Sequence, residues 1–108
     1  MATYLLQVGY TAEGWAVQLR NPQNRVDLLR HVFDRLGGSI DQFWYTLGEY
    51  DVTGVITLPD NVSAAAFSMA AMAGGSVRSI KTTPLLSVED GIIAMHVASE
   101  LGYQPPGN

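Results

Sequence analysis

The chain predicts an α+β domain: one antiparallel sheet of four strands, crossed by helices that lie on a single face. Three observations carry that expectation. A helical apolar period lies between two β-prone stretches, a hairpin with glycine at its turn occupies the middle, and a second helix and a further strand follow it. At 108 residues the chain has the size of one domain with one core, so residues 1–108 are read as a single unit.

From Thr3 to Tyr10 the apolar, β-prone residues alternate. Tyr4, Leu6, Val8 and Tyr10 share one face, and Leu5, Gln7 and Gly9 the other. Thr11 to Arg20 holds Gly14 and Trp15 in a mixed order and reads as an irregular or briefly helical connection. Asn21-Pro22 reads as an N-cap followed by proline at the first helical position. Val26, Leu29, Val32, Phe33 and Leu36 then recur at helical spacing, and Gly37-Gly38 stops the helix.

The hairpin runs from Ser39 to Leu58 and is closed by Pro59. Gly48-Glu49 separates its two arms, and glycine at the first turn position suits a type II′ turn, which needs a positive φ there. Asp60 or Asn61 can cap the next helix, Val62 to Ala73, whose many alanines allow close packing and which ends at Gly74-Gly75. Val77 to Leu85 is the fourth strand, with Pro84 restricting its far end. Ser87, with Asp90 three residues on, caps a last helix in which Ile92, Ile93, Val97 and Leu101 are expected to form a buried stripe. Residues 103–108 read as a flexible Pro/Gly tail. The order β, α, β, β, α, β, followed by a C-terminal helix, is the ferredoxin-like split βαβ arrangement, which leaves one sheet face uncovered.

A two-residue turn sets the hairpin's register, because residues equidistant from the turn lie opposite one another and point to the same side. Phe43, Tyr45, Leu47, Tyr50, Val52, Gly54 and Ile56 fall on the side facing the helices, with the Phe43 ring covering Gly54. Ile40, Gln42, Trp44, Thr46, Asp51, Thr53, Val55 and Thr57 fall on the open side. Alternation adds Gln7, Ser79 and Lys81 to that second set. A tryptophan among hydrogen-bonding groups is too apolar for water and too polar for a monomer core. It fits a subunit interface, with two sheets meeting across a dimer axis, or a ligand-holding cleft.

Composition narrows the partners. With 47% hydrophobic and 15% charged residues, the chain has little charge to cover its surface, which points to a homodimer or a higher homo-oligomer. The absence of cysteine removes disulfides, thiolate nucleophiles and zinc ribbons. A net charge of −4 argues against nucleic acid. The N-terminal residues carry no basic segment leading into an apolar run, and no apolar run reaches membrane-spanning length, so a soluble cytoplasmic protein that engages no membrane is expected.

Residues 3 to about 88 resemble the GYD domain family, small bacterial proteins placed among the dimeric α/β-barrel, ferredoxin-like folds. The resemblance rests on Gly48-Glu49-Tyr50-Asp51 with Phe43-Trp44-Tyr45-Thr46-Leu47 before it and Leu58-Pro59-Asp60 after it. It also takes in Leu36-Gly37-Gly38, Thr11 to Gly14 with Pro22 and Arg25, and Gly75-Ser76-Val77-Arg78-Ser79. Glu13 stands where Gln is more typical, and Thr53-Gly54 interrupts what is commonly an apolar run. The family has no established general activity. Proteins sharing the barrel include cofactor-free oxygenases, isomerases, lyases and stress-response proteins that bind small molecules, so this implication is by fold analogy.

Adjacent strand residues point to opposite faces, so Tyr50 and Asp51 cannot act on one atom in a regular hairpin. Tyr50 is expected in the core, and Asp51 bonds turn amides or Thr46 unless it faces Lys81 as a polar anchor or base. His31 and His96 read as helix-surface or boundary residues, and nothing has zinc-ligand spacing. The glycine pairs follow helices and so lack a phosphate-loop setting. Ser63, Ser68 and Ser87 lack a nucleophile elbow. Trp15 and Trp44 can line a pocket for a flat ligand, Trp44 being better placed. The expectation is an oligomeric domain that holds a small, partly apolar ligand near Trp44, Asp51, Thr53, Gln42 and Lys81, with no cofactor or metal. The alternatives are a cofactor-independent isomerase or oxygenase at that cleft and a non-catalytic assembly protein.

Overall fold

A computed structural model describes residues 1–107. Its elements are β1 (Ala2–Tyr10), α1 (Ala12–Arg20), α2 (Arg25–Leu36), β2 (Ser39–Tyr45), β3 (Val52–Leu58), α3 (Asn61–Ala73), β4 (Val77–Leu85) and α4 (Val88–Ser99). The strands form one antiparallel sheet in the order β2-β3-β1-β4. This α+β arrangement, with the first and third strands central, is that of a ferredoxin-like fold.

Alternation in β1 sorts the two faces as expected. Tyr4, Leu6, Val8 and Tyr10 are buried against Phe33 of α2 and Ala64 and Phe67 of α3, together with Val52, Ile56 and Leu58 of β3. The Phe33 and Phe67 rings meet with centroids 4.8 Å apart and join the two helices over the sheet.

Two helix starts differ from the sequence reading. Thr11 opens a full nine-residue helix, its hydroxyl accepting the Gly14 amide at 2.9 Å, so the expected irregular connection is α1. Asn21 ends that helix. The cap of α2 is Asn24, which accepts the Asp27 amide at 3.2 Å and leaves Pro22 in the link. Asp60 caps α3, and the Ser63 amide and hydroxyl hold its carboxyl below the usual range.

The hairpin keeps its expected register from Tyr45↔Val52 to Gln42↔Val55, then slips at Asp41. That extra residue returns Ile40 to the core side opposite Ile56, not to the open face. The Asp41 carboxylate accepts hydrogen bonds from Ser39 at 2.7 Å and Thr57 at 2.5 Å, occupying the turned-out position. The tip also departs from a two-residue turn. Gly48 has the expected positive φ of 125°, but the closing bond runs from the Thr46 amide to the Asp51 carbonyl at 2.9 Å, leaving four residues in the loop. Asp51 straddles its neighbours, with its carbonyl accepting from Thr46, just past β2, and its amide donating to Val8 of β1 at 2.8 Å, so the ladder cannot continue regularly. Leu47, expected under the helices, is fully exposed on this loop, and Tyr45 is half exposed.

The largest correction concerns α4. Ser87 caps it as expected, accepting the Asp90 amide at 3.0 Å, but no residue of the helix is buried. Ile92, Ile93, Met95, Val97 and Leu101 are 49% to 71% exposed. The Cα radius of gyration is 17.5 Å, against about 13 Å for a compact domain of this length, with extents of 58 × 33 × 23 Å. The C-terminal helix therefore stands away from the sheet and the other helices.

Candidate functional site

At the hairpin end of the sheet, β1 runs out of partners. Its ladder with β3 ends at Val8↔Val52, and its pairing with β4 shifts between Gly9 and Tyr10. The Tyr10 amide is satisfied by the Asp51 carboxylate at 2.8 Å. Arg78 stands 4.0 Å from the same carboxylate oxygen and donates to the Glu49 carbonyl at 2.7 Å, tying the hairpin tip to β4.

The next residues bring α1 down onto this end. Thr11 donates its amide to the Ser76 carbonyl at 2.9 Å, and its hydroxyl faces the Gly75 carbonyl at 3.2 Å. Gly14 lies so close to Ser76 that an added Cβ would sit 2.4 Å from the Ser76 carbonyl oxygen, so only glycine fits. Trp15 then meets Tyr10 edge to face at 5.3 Å between centroids and approaches Tyr45 at 6.5 Å. This packing locks Tyr10 in place.

Behind Tyr10, between the sheet and α2 and α3, lies a cavity of about 370 Å³. Leu6, Val8, Val52, Phe43 and Ile80 form its floor, and Leu29, Val32, Phe67, Ala70 and Ala71 its roof. Phe43 pairs with Gly54, where an added Cβ would lie 2.9 Å from the Gln42 carbonyl oxygen. Tyr10, Arg25 and Ser76 supply the cavity's polar side chains. Burial pushes the Tyr10 phenol above its ordinary 10.0, against the opposing pull of the adjacent Arg25 guanidinium, so the hydroxyl stays protonated at neutral pH. The Arg25 Nε is buried without a hydrogen-bond partner in the protein.

Neither Tyr10 nor Arg25 was among the residues that the sequence singled out as a site. Arg25 did leave a trace: it lies four residues before Leu29, in phase with the stripe that continues through Val32, Phe33 and Leu36. A cation in phase with a core stripe is unusual enough to mark. Tyr10 left none, since it simply completes the alternation of β1.

The expected site residues lie on the other side of the sheet. Cross-strand pairing aligns Trp44, Thr53, Gln7 and Lys81 in one row across all four strands. Gln42, Val55, Leu5 and Thr83 form the next row. Trp44 is 54% exposed. The Asp51 carboxylate accepts from the Tyr10 amide and pairs with Arg78 rather than Lys81, while its main-chain carbonyl accepts from Thr46 across the hairpin, as one reading of the sequence expected. His31 and His96 are exposed helix residues, and among the described residues no three His, Asp or Glu side chains are grouped to hold a metal ion. No helix is long and apolar enough to cross a membrane.

The chain belongs to the GYD domain family, whose model matches residues 4–94. Comparison with curated proteins and with solved structures returns no match.

Proposed function

We propose that this GYD-domain protein is a self-associating domain that binds a small, predominantly apolar molecule in the cavity between its sheet and helices. The cavity carries the reading: about 370 Å³ of space walled by apolar side chains, with few polar groups converging at one end, is the usual form of a small-molecule site. Simple apolar cavities of about 150 Å³ already bind benzene, so the space accommodates an aromatic ring with a substituent. The family signature acquires a role in this reading. Asp51 and Arg78 hold the end of β1, and with it the Tyr10 ring at the cavity's polar end.

Trp44, Thr53, Gln42 and Lys81 belong to self-association rather than to the ligand site, since the cavity lies across the sheet from them. The open sheet face and α4 both leave apolar side chains in water, and a second copy of the chain is the partner that supplies matching surfaces. Asp51 is then a positioning residue, not a base, and the cavity wall itself contains no carboxylate or imidazole, which favours binding over general acid–base chemistry.

Titration with 3-phenylpropan-1-ol followed by amide chemical shifts tests the site. Saturable shifts are expected at Val52, Ala71 and Val77 and should vanish in Ala71→Phe, which fills the cavity. Shifts spread over α4, or unchanged in that variant, would place binding elsewhere. For assembly, light scattering should return at least a dimer mass at micromolar concentration, reduced by Trp44→Glu. A monomer mass in the unmodified protein would refute it.

A further inference from the structure

We propose that the cavity selects an anion: a small apolar molecule bearing a single carboxylate, or an equivalent acceptor-only group, gripped by Arg25 with the Tyr10 hydroxyl as second donor. This rests on the cavity being a ligand site and adds the chemistry of what it takes.

The Arg25 Nε is buried without a hydrogen-bond partner, and the guanidinium lies against the Tyr10 side chain on an otherwise apolar wall. Both ion pairs among the described residues, Arg30 with Asp27 and Arg78 with Asp51, leave Arg25 out. Asp51 is the carboxylate whose charge acts on Tyr10, and it is already committed to the Tyr10 amide and Arg78. A cation partly withdrawn from water is stabilised by a paired anion, and the cavity beside Arg25 has room for one.

Donor and acceptor types agree. Arginine only donates, and a tyrosine kept protonated by its surroundings has an O–H to give. Ser76 also lines the wall, and its main-chain carbonyl, the natural competitor for donors, accepts from the Thr11 amide. A ligand group that only accepts satisfies this end, whereas a neutral amide brings N–H donors that find no acceptor side chain of comparable strength. The guanidinium fork matches a carboxylate in two places, and the apolar remainder of the cavity matches a ring or short chain.

The matched pair 3-phenylpropanoate and 3-phenylpropanamide, titrated into the full-length protein and followed by amide chemical shifts, separates the possibilities. The carboxylate should bind at least about tenfold more tightly than the amide, as a charge-assisted hydrogen bond implies. Arg25→Gln should remove that preference, Arg25→Lys should keep part of it, and Tyr10→Phe should reduce it by several-fold. Circular dichroism and an unchanged pattern of amide shifts outside the cavity identify variants that have kept their fold. Equal binding of the two probes to the unmodified protein, or a preference unchanged in both Arg25 variants, overturns the anion proposal and leaves a neutral apolar site. If neither probe binds, the ligand site itself is refuted and the anion proposal falls with it.

Discussion

Two helices of twelve residues, α2 and α4, begin with the same device and meet opposite fates. Asn24 caps one and Ser87 the other, each accepting the amide three residues on. α2 carries six charged or histidine residues, yet it seats Phe33 in the core and packs Leu29, Val32 and Leu36 around it. α4 carries three, with isoleucines, methionine and valines around it, and buries nothing. The more apolar helix is the more exposed. Hydrophobicity states that a segment must be covered, whereas only a complementary surface says by what. For α2 that surface is β2 and the central strands, while α4 finds none within the described chain.

The largest test of this contrast is Phe33→Ala, expected to cost about 3–5 kcal/mol in denaturant unfolding, against less than about 1 kcal/mol for Ile92→Ala in dilute protein. Comparable costs in a monomer would mean that α4 docks on its own domain and would break the comparison. Next comes removal of the chain after Leu85. The shortened protein should keep its fold by circular dichroism, while its melting temperature loses dependence on protein concentration, as expected when the helix contributes through a second copy. The caps make a finer test, because the local change is the same. Asn24→Ala should lower global stability by about 1 kcal/mol, while Ser87→Ala should leave global unfolding unchanged and speed amide exchange only in the first turn of α4.

The smallest effect is on titration at the start of α2. Tyr10 has its phenol raised above 10.0 in the folded protein. Its contribution to stability is therefore fully present below about pH 10 and declines as pH rises through the folded value. Arg25→Gln should raise the tyrosinate transition further by removing the opposing positive charge, and truncation of α4 should not move it. Ultraviolet absorbance titration reads both, with Tyr10→Phe identifying the shifted group.

Much of the architecture was legible because its signals are local. Alternation named the buried face of β1, and helical spacing located α2. Asp60 and Ser87 announced their helices through short polar side chains. The hairpin's register followed from Gly48-Glu49 as far as Gln42, since facing residues are counted from the turn. It failed at Asp41, where exchanging one regular pair for a bulge sends Ile40 inward and gives the carboxylate two hydroxyl partners. The four-residue tip was equally hidden, because Asp51 answers to Val8 and Tyr10, some forty residues earlier in the chain.

By itself, then, the sequence determined the α+β class, the order of the strands and of the helices after α1, which side of β1 and β3 is apolar, and where α3 and α4 are capped. Periodicity and capping act over a few residues, so a linear reading contains them. The tertiary structure decided that Arg25 and Tyr10 share a cavity, that Asp51 supports Tyr10 rather than facing Lys81, and that α4 stands clear of the core. Each of these depends on which distant surfaces meet, and the energy of a charge or an apolar side chain is set by that neighbour rather than by its own chemistry alone.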